Sequence, residues 1–272
     1  MTYCVGLWLE QGLVMLADTR TNAGVDNIST FSKVYTATVP GERVLCLLSA
    51  GNLAITQAVW NRLGEGLMLE GEHHTLLTVP SMFRAAQLVG AAIRQVYQID
   101  GPTLKDQGVG FDVSIMLGGQ IAGGPVRLYL VYAAGNFIEA TPDTPFLQIG
   151  EHKYGKPILD RALTHQTSLE GGVKLTLVSM DSTLRSNLTV GLPLDLVVYD
   201  TDSFQIRLQQ RITEEDPYFR SLREAWSVAL RDAYRQMPEP AWLQPAIPPV
   251  QGTSPAELGS GLNLGPIDIL PD

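Results

Sequence analysis

The sequence predicts a layered α/β sandwich built on antiparallel sheets. Two hairpins lead to this prediction: Tyr3–Glu10 with Leu13–Ala17, joined by a Gln-Gly turn, and Val34–Val39 with Arg43–Ser49, joined by a Pro-Gly turn. Several of these strands are apolar on both faces, so both faces of each sheet must be covered. Helical segments follow the hairpins and supply that cover.

The remaining elements follow from capping residues and from apolar spacing. Asn52 can cap a helix to about Leu67, and Pro80 suits the first turn of a helix to about Gln98. Asp216-Pro217 opens a last amphipathic helix, whose inward face is predicted at Phe219, Leu222, Trp226, Ala229, Leu230 and Ala233. The other segments are strands at Phe111–Leu117, Val126–Val131 and Phe146–Ile149, helices at Glu151–Thr164 and Glu170–Thr183, and a hairpin of Leu194–Tyr199 with Phe204–Arg211.

Composition limits the classes of function. Hydrophobic residues make up 45% of the 272 residues and charged residues 17%, which is typical of a globular body. The net charge of −9 repels phosphate backbones and anionic lipids, so neither nucleic acid nor membrane is an expected partner. Residues 238–272 contain eight prolines and no Lys or Arg. We therefore expect one domain over 1–237, followed by a flexible Pro-rich tail over 238–272.

The sequence has no features of export or of a metal centre. The first ten residues contain no Lys or Arg, and the apolar runs are far shorter than the ~20 residues of a membrane helix, so the expected location is the cytoplasm. Cys4 and Cys46 are too few for a disulfide framework and are expected to be buried. The histidines lack metal-ligand spacing, and neither a metal nor an organic cofactor is expected.

The start of the chain carries the main chemical hypothesis. Thr2 follows Met1 and stands at the first residue of a strand. Removal of Met1 would leave a free α-amine on Thr2, with an ordinary pKa of about 7.7–8.0. That amine could accept the proton of the Thr2 hydroxyl at neutral pH and so activate it as a nucleophile. An ordinary Met-Thr start is the alternative interpretation of these two residues alone.

Several runs resemble one family in order and spacing. They are MTYC at 1–4, ADTRTNAG at 17–24, NIS at 27–29, SKV at 32–34, SAGNLA at 49–54, KPILDR at 156–161 and SNLTVGLP at 186–193. These runs resemble the β-type subunits of proteasomes and the HslV peptidase, which are N-terminal-nucleophile hydrolases. The sequence is most similar to the bacterial proteasome homologues called Anbu, over about residues 1–234.

The resemblance implies a fold, an assembly and a catalytic set. The fold is the four-layer αββα sandwich with two antiparallel sheets, and the assembly is a homo-oligomeric ring or spiral that encloses peptide or unfolded protein substrates. Thr2 matches the nucleophile of the family. Asp18 matches the aspartate that holds the catalytic lysine, and Lys33 matches that lysine, whose charge would lower the pKa values of Thr2. Gly51 matches the glycine whose N–H faces the oxyanion.

Substrate positions also carry over from the family. Asn22, Gly51 and Leu53 match positions whose backbone pairs with an extended substrate. Ser49 and Leu53 would line the pocket for the residue before the scissile bond. The resemblance does not identify an ATPase partner, the natural substrate or the number of subunits.

The sequence departs from the family around the threonine amine. At the positions where the family has serine and aspartate, this sequence has Glu151, Thr167 and Glu170. Arg20 is a further candidate for supporting the site. A carboxylate in this place could replace the missing charge, or it could raise the pKa of the amine and weaken the base.

Each site residue has an alternative interpretation. Lys33 could be a solvated charge at a strand edge, Asp18 and Arg20 could form a surface pair, and Gly51 could be a strand-to-helix turn. Two other functions also stay open: an amidase or transpeptidase acting on one dedicated small peptide, and a weakly active assembling scaffold.

Overall fold

The computed structural model describes residues 2–22 and 28–243. The predicted motif residues at 23–27, and the predicted tail from 244 onward, lie outside the described residues. The chain divides into two compact units, 1–229 and 230–272. The described part of the first unit is a mixed α/β structure with several antiparallel sheets.

The strands are β1 Tyr3–Leu9, β2 Gly12–Asp18, β3 Arg20–Asn22, β4 Ile28–Thr30, β5 Val34–Val39, β6 Arg43–Gly51, β7 Leu67–Leu69, β8 Glu72–His74, β9 Val113–Ile121, β10 Arg127–Val131, β11 Phe137–Glu139, β12 Phe146–Gly150, β13 Leu194–Asp200 and β14 Ile206–Ile212. The helices are α1 Leu53–Glu65, α2 Met82–Asp106, α3 Lys156–Ala162, α4 Leu169–Ser186 and α5 Pro217–Gln236. A short 3₁₀ turn covers Ala241–Leu243.

Two five-stranded antiparallel sheets form the centre of the first unit. Their strand orders are β12-β1-β2-β13-β14 and β11-β10-β9-β6-β5. Both predicted N-terminal hairpins are confirmed, since β1 pairs with β2 and β5 pairs with β6. The late hairpin of β13 and β14 is confirmed as well, and β13 also pairs with β2.

Alternating side chains divide the apolar residues into three cores. Leu45 and Leu47 of β6 pack with α1 and α2, whereas Cys46 and Leu48 pack between the two sheets. On the other sheet, the buried residues of β1 and β2 pack partly between the sheets and partly against α3 and α4. Burial on both faces explains the continuous apolar runs in the sequence.

Two glycines, Gly6 and Gly118, leave room for methionine side chains of the facing sheet. A Cβ added to Gly6 would lie 2.4 Å from the sulfur of Met116 on the facing sheet. Gly118 likewise admits the sulfur of Met15, which would lie 2.8 Å from an added Cβ. The first contact joins β1 to β9 and the second joins β2 to β9, both across the inner core.

Helix ends differ from the predicted ones for identifiable reasons. The Asn52 side chain caps α1 as predicted, accepting a hydrogen bond from Ala54 N at 3.0 Å. Helix α2 begins after the Ser81 cap and continues through Pro102 to Asp106, beyond the predicted end at Gln98. The extension is stabilised because Leu104, near its end, packs against the core below α1 and α2.

Two further segments correct the sequence predictions. The predicted helix Glu151–Thr164 is limited to α3, since residues 151–155 form a turn that places Glu151 beside Thr2. Helix α5 begins at Pro217 as predicted, but only Phe219 of its expected inward face is buried. An amphipathic pattern therefore does not by itself show that a helix face is covered within one chain.

No helix in residues 2–22 and 28–243 combines the length and apolar character needed to span a bilayer.

Candidate active site

Thr2 lies immediately before the central strand β1, in a fixed backbone environment. Its carbonyl oxygen accepts a hydrogen bond from Glu151 N at 2.7 Å, which ties it to the end of β12. Gly150 makes this approach feasible: it has a φ of +80°, and a Cβ there would lie 1.9 Å from the Thr2 oxygen. Thr2 is 9% exposed and faces a cavity.

A buried ion pair lies next to Thr2. Lys33 Nζ is 2.7 Å from an Asp18 carboxylate oxygen and also donates to the Arg20 carbonyl at 2.7 Å. The Asp18 side chain is fully buried and Lys33 is 5% exposed. The interpretation of Lys33 as a solvated strand-edge charge is therefore wrong.

Backbone donors complete the surroundings of Asp18. Its carboxylate accepts from Tyr3 N at 3.1 Å and from Gly191 N at 3.2 Å. Burial raises the pKa of the Asp18 carboxyl, while the Lys33 ammonium and the two N–H donors oppose that rise. Arg20 donates instead to the Leu188 carbonyl at 2.7 Å, so the alternative of an Asp18–Arg20 surface pair is wrong as well.

The predicted residues of the N-terminal half come together around one cavity. Its volume is about 630 Å³. Those that line it are Thr2, Arg20, Asn22, Lys33, Ser49, Gly51 and Leu53. Asp18 lies behind Lys33, buried below the cavity wall. Residues far apart in sequence thus meet at the end of β1, because β2, β5 and β6 all end or begin there.

Gly51 joins β6 to the N-cap of α1 at the rim of this cavity. Its φ of +111° is in the region that favours glycine, and a Cβ would lie 2.3 Å from the Asp112 carbonyl. Gly51 is a strand-to-helix turn, as the alternative interpretation states, and it also lines the cavity.

Cys4 supports the site from the inner core. Its thiol is buried and donates to the Ser49 carbonyl at 3.7 Å, which links β1 to β6. Burial raises the pKa of the Cys4 thiol, so this thiol stays protonated at neutral pH. Cys46 is likewise buried and free.

Of the supporting candidates, Glu151 is bonded to Thr2 and Arg20 lines the Thr2 cavity, whereas Thr167 and Glu170 lie elsewhere. The Glu151 carboxylate accepts from the Asn187 amide at 3.0 Å and is 4.0 Å from Lys153 Nζ. Asn187 in turn accepts from the backbone N–H and the hydroxyl of Thr189 at 2.9 and 2.6 Å. Asn187 and Thr189 are missing from the residues predicted for the site, and the SNLTVGLP run at 186–193, which contains both, is the sequence signal for them.

The predicted proximity of Thr167 and Glu170 to Thr2 is wrong. Both lie at the start of α4, where Leu169 N donates to the side chain of Gln11 at the opposite end of β1. Seven residues of extended strand separate the two ends, a distance of about 23 Å. The exposed Glu170 instead pairs with Arg207 of β14, at 2.8 Å. A hydrogen bond from its own backbone N–H, and then this pairing, lower the pKa of its carboxyl.

Within the described ranges, no group of three or more His, Cys, Asp or Glu side chains is arranged to hold a metal ion.

Comparison with known proteins identifies the relatives of the chain. No protein-family profile and no curated protein sequence matches it. Solved structures do match. Anbu from Hyphomicrobium sp. strain MC1 is 51% identical with a TM-score of 0.80, over 87% of this chain and 98% of that protein. Anbu (ancestral beta-subunit) from Yersinia bercovieri is 49% identical with a TM-score of 0.80, over 87% and 97%.

A third structure extends the comparison to an assembly. The helical assembly of the Anbu complex from Pseudomonas aeruginosa contains a chain 50% identical to this one, with a TM-score of 0.81, over 88% of this chain and 98% of that chain. Together with the Thr2 cavity, these similarities define a proteasome-related, β-subunit-like protein. The chain belongs to the Anbu family.

Proposed function

We propose that this protein is an N-terminal-threonine peptidase that hydrolyses peptide bonds inside a self-compartmentalising homo-oligomer. One observation carries the proposal: Thr2, Gly51 and the Asp18-paired Lys33 meet at a single cavity. The proposal includes the finer fold assignment, in which the two sheets and their outer helices form the αββα sandwich of N-terminal-nucleophile hydrolases.

The proposed reaction begins with Thr2 after removal of Met1. The Thr2 α-amine takes the hydroxyl proton while Oγ bonds to the peptide carbonyl carbon, and the carbonyl oxygen becomes an oxyanion. The Gly51 N–H is the proposed donor to that oxyanion, a contact of a kind worth about 2.7–4 kcal/mol in the transition state. When the C–N bond breaks, the ammonium returns its proton to the leaving amine, and an ester to Thr2 remains. Water, deprotonated by the same amine, then hydrolyses the ester.

Lys33 has an electrostatic role in this proposal. Its ammonium is held by Asp18 and the Arg20 carbonyl, so its position is fixed before substrate binds. A fixed positive charge near Thr2 favours the neutral amine and the developing alkoxide. In this proposal Glu151 has the opposite effect: its backbone N–H is bonded to Thr2 and its carboxylate is buried, and negative charge favours a protonated amine.

The proposed substrate is a peptide or unfolded chain in extended conformation. Asn22 and Gly51 both line the cavity, and the proposed substrate strand pairs with the backbone of both. Such pairing selects little among side chains, which gives a reason to restrict access by assembly. We extend the helical arrangement of the Pseudomonas aeruginosa complex to this chain as a ring or spiral, and we place the protein in the cytoplasm.

The test combines intact mass with labelling and turnover. Purified protein is expected to lack Met1, to release fluorophore from a peptide library, and to form a one-to-one adduct with a peptide epoxyketone. Thr2→Ala should abolish both turnover and adduct, whereas Thr103→Ala, which removes an exposed threonine hydroxyl on α2, should change neither. Turnover that survives Thr2→Ala would refute the proposal.

Other outcomes would favour the two alternative functions. Labelling of Thr2, together with cleavage of only one small peptide or transfer of its acyl group to an amine, favours a dedicated amidase or transpeptidase. Absence of labelling and turnover from a protein that has lost Met1 favours an assembling scaffold.

A further inference from the structure

The cavity around Thr2 has two walls with different charges. Strand β3 forms one wall with Arg20 and Asn22. The end of β6, the start of α1 and the segment before β9 form the other wall, which includes Gly51 and Asp112. An extended peptide between these walls would contact both.

The two positive side chains of the cavity already have partners within the chain. Lys33 is in its ion pair with Asp18 at 2.7 Å. The Arg20 guanidinium donates to the Leu188 carbonyl at 2.7 Å and lies along that loop. The Lys33 charge is thus offset by Asp18, whereas Arg20 keeps its charge and is held by the Leu188 carbonyl, forming no ion pair with a carboxylate of this cavity.

Asp112 carries that negative charge and is exposed. In the part of the chain that the structure describes, no Lys, Arg or His side chain forms an ion pair with Asp112. It is also the only carboxylate among the described residues that line this cavity. An unpaired carboxylate in a partly enclosed cleft attracts a cationic group of the ligand.

The backbone of Asp112 is held firmly although its side chain is free. Its carbonyl accepts from Asn52 N at 2.8 Å, which joins it to the residue after Gly51. The preceding residue, Phe111, packs edge-on against Tyr97 of α2 with ring centroids 5.1 Å apart. The carboxylate is thus presented by a rigid segment, which reduces the entropy lost when a ligand binds.

Neighbouring hydroxyl groups complete the arrangement. Ser114 and Thr56 line the same cavity. The Thr56 hydroxyl donates to the Leu53 carbonyl at 2.9 Å, so its oxygen can still accept. An ammonium group has three donors and a guanidinium five, more than one carboxylate satisfies, and these oxygens are suitable additional acceptors.

We propose that Asp112 makes the cavity selective for peptides with a Lys or Arg side chain close to the bond that is cut. That the cavity binds a peptide rests on the proposed function. The selectivity rests on the exposed carboxylate of Asp112 at the cavity, which forms no ion pair with Lys33 or Arg20.

The test measures binding separately from cleavage. Thr2→Ala protein, which cannot turn over its ligand, is titrated with fluorescent extended peptides that differ at one position only: Lys, norleucine or Glu. The substituted position is moved through the four residues before the scissile bond and the two after it. At one or two positions, we expect the Lys peptide to bind about tenfold more tightly than the norleucine peptide, the effect of one charge-assisted hydrogen bond.

The variant Asp112→Asn in the same background should remove that difference and leave the affinity for the norleucine peptide unchanged. Asp106→Asn removes an exposed carboxylate at the end of α2, outside the cavity, and should preserve the preference. The preference should also weaken as salt is raised. Equal affinities for the Lys, norleucine and Glu peptides, or a Lys preference that survives Asp112→Asn, would overturn the inference.

Turnover by the wild-type protein then tests the proposed function independently. A Lys preference in binding that depends on Asp112, without any cleavage by protein carrying a free Thr2, would refute the peptidase and support the charge selectivity. Cleavage that ignores the charge of the substrate, together with charge-independent binding, would refute the selectivity and support the peptidase.

Discussion

Replacing Asp18 by Asn removes the negative charge beneath the Thr2 cavity with little change of shape. The wild-type carboxylate accepts from Lys33 Nζ at 2.7 Å, from Tyr3 N at 3.1 Å and from Gly191 N at 3.2 Å. An Asn side chain keeps one acceptor oxygen but brings an NH₂ group that faces a donor. The substitution therefore leaves the Lys33 ammonium, which is 5% exposed, without a negative partner.

The expected loss of stability follows from that uncompensated charge. Breaking a buried ion pair by removal of one partner costs about 3–5 kcal/mol. The Arg20 carbonyl still accepts from Lys33 at 2.7 Å, so we expect the lower end, about 3 kcal/mol. For a body of this size, each kcal/mol lowers Tm by roughly 2–4 °C, which gives a decrease of roughly 6–12 °C.

The assay is thermal unfolding followed by circular dichroism at one protein concentration, because the Tm of an oligomer depends on concentration. The double variant Asp18→Asn with Lys33→Met removes both charges and should recover part of the loss. Asp106→Asn, an exposed change of the same type, should cost at most about 0.5 kcal/mol. If Asp18→Asn shifts Tm no more than Asp106→Asn, the reasoning about the buried pair is refuted.

Three further predictions concern single positions. Lys33→Met leaves Asp18 buried, with its folded pKa raised above the ordinary 3.8, so Asp18 binds more protons in the native state than in the unfolded state. The Tm of Lys33→Met should therefore rise relative to that of the double variant Asp18→Asn with Lys33→Met as pH falls from 7 toward 4, and a relative Tm that falls would contradict this. Cys4 and Cys46 are buried and their thiols have raised pKa values, so iodoacetamide should label neither in the native protein and both in denaturant. Labelling of the native protein would show that solvent reaches these thiols, contrary to the structure. Gly150→Ala places a methyl carbon 1.9 Å from the Thr2 carbonyl oxygen, at a φ of +80°. The free energy of unfolding in urea should therefore decrease by more than about 1 kcal/mol, and an unchanged unfolding midpoint would refute the close contact.

Local sequence determined the elements whose signals are short-range. The N-terminal hairpins and the Asn52 cap were predicted correctly because turn residues, alternation and capping side chains act over a few residues. The apolar character of both strand faces also predicted layers on both sides of the sheets, since an uncovered apolar face is unstable in water.

Long-range features were predicted only as far as the resemblance extended. Spacing along the chain does not specify that Lys33 and Asp18 lie 2.7 Å apart, although the family motif implied it. The family motif did not give the positions of Thr167 and Glu170, because they lie at the start of α4, whereas Asn187 at its other end contacts Glu151.

The sequence by itself determined the hairpins, the Asn52 helix cap, the family and the identity of the N-terminal residues around Thr2. Only the tertiary structure decided that Asn187 holds Glu151 beside Thr2, and that Asp112 faces the same cavity without a counter-charge. The Glu151–Asn187 contact and the unpaired Asp112 both depend on which strand ends meet around the Thr2 cavity, and on which charged side chains form ion pairs there. Such contacts join residues tens of positions apart, so the free energy that selects them appears only when the sheets pack together.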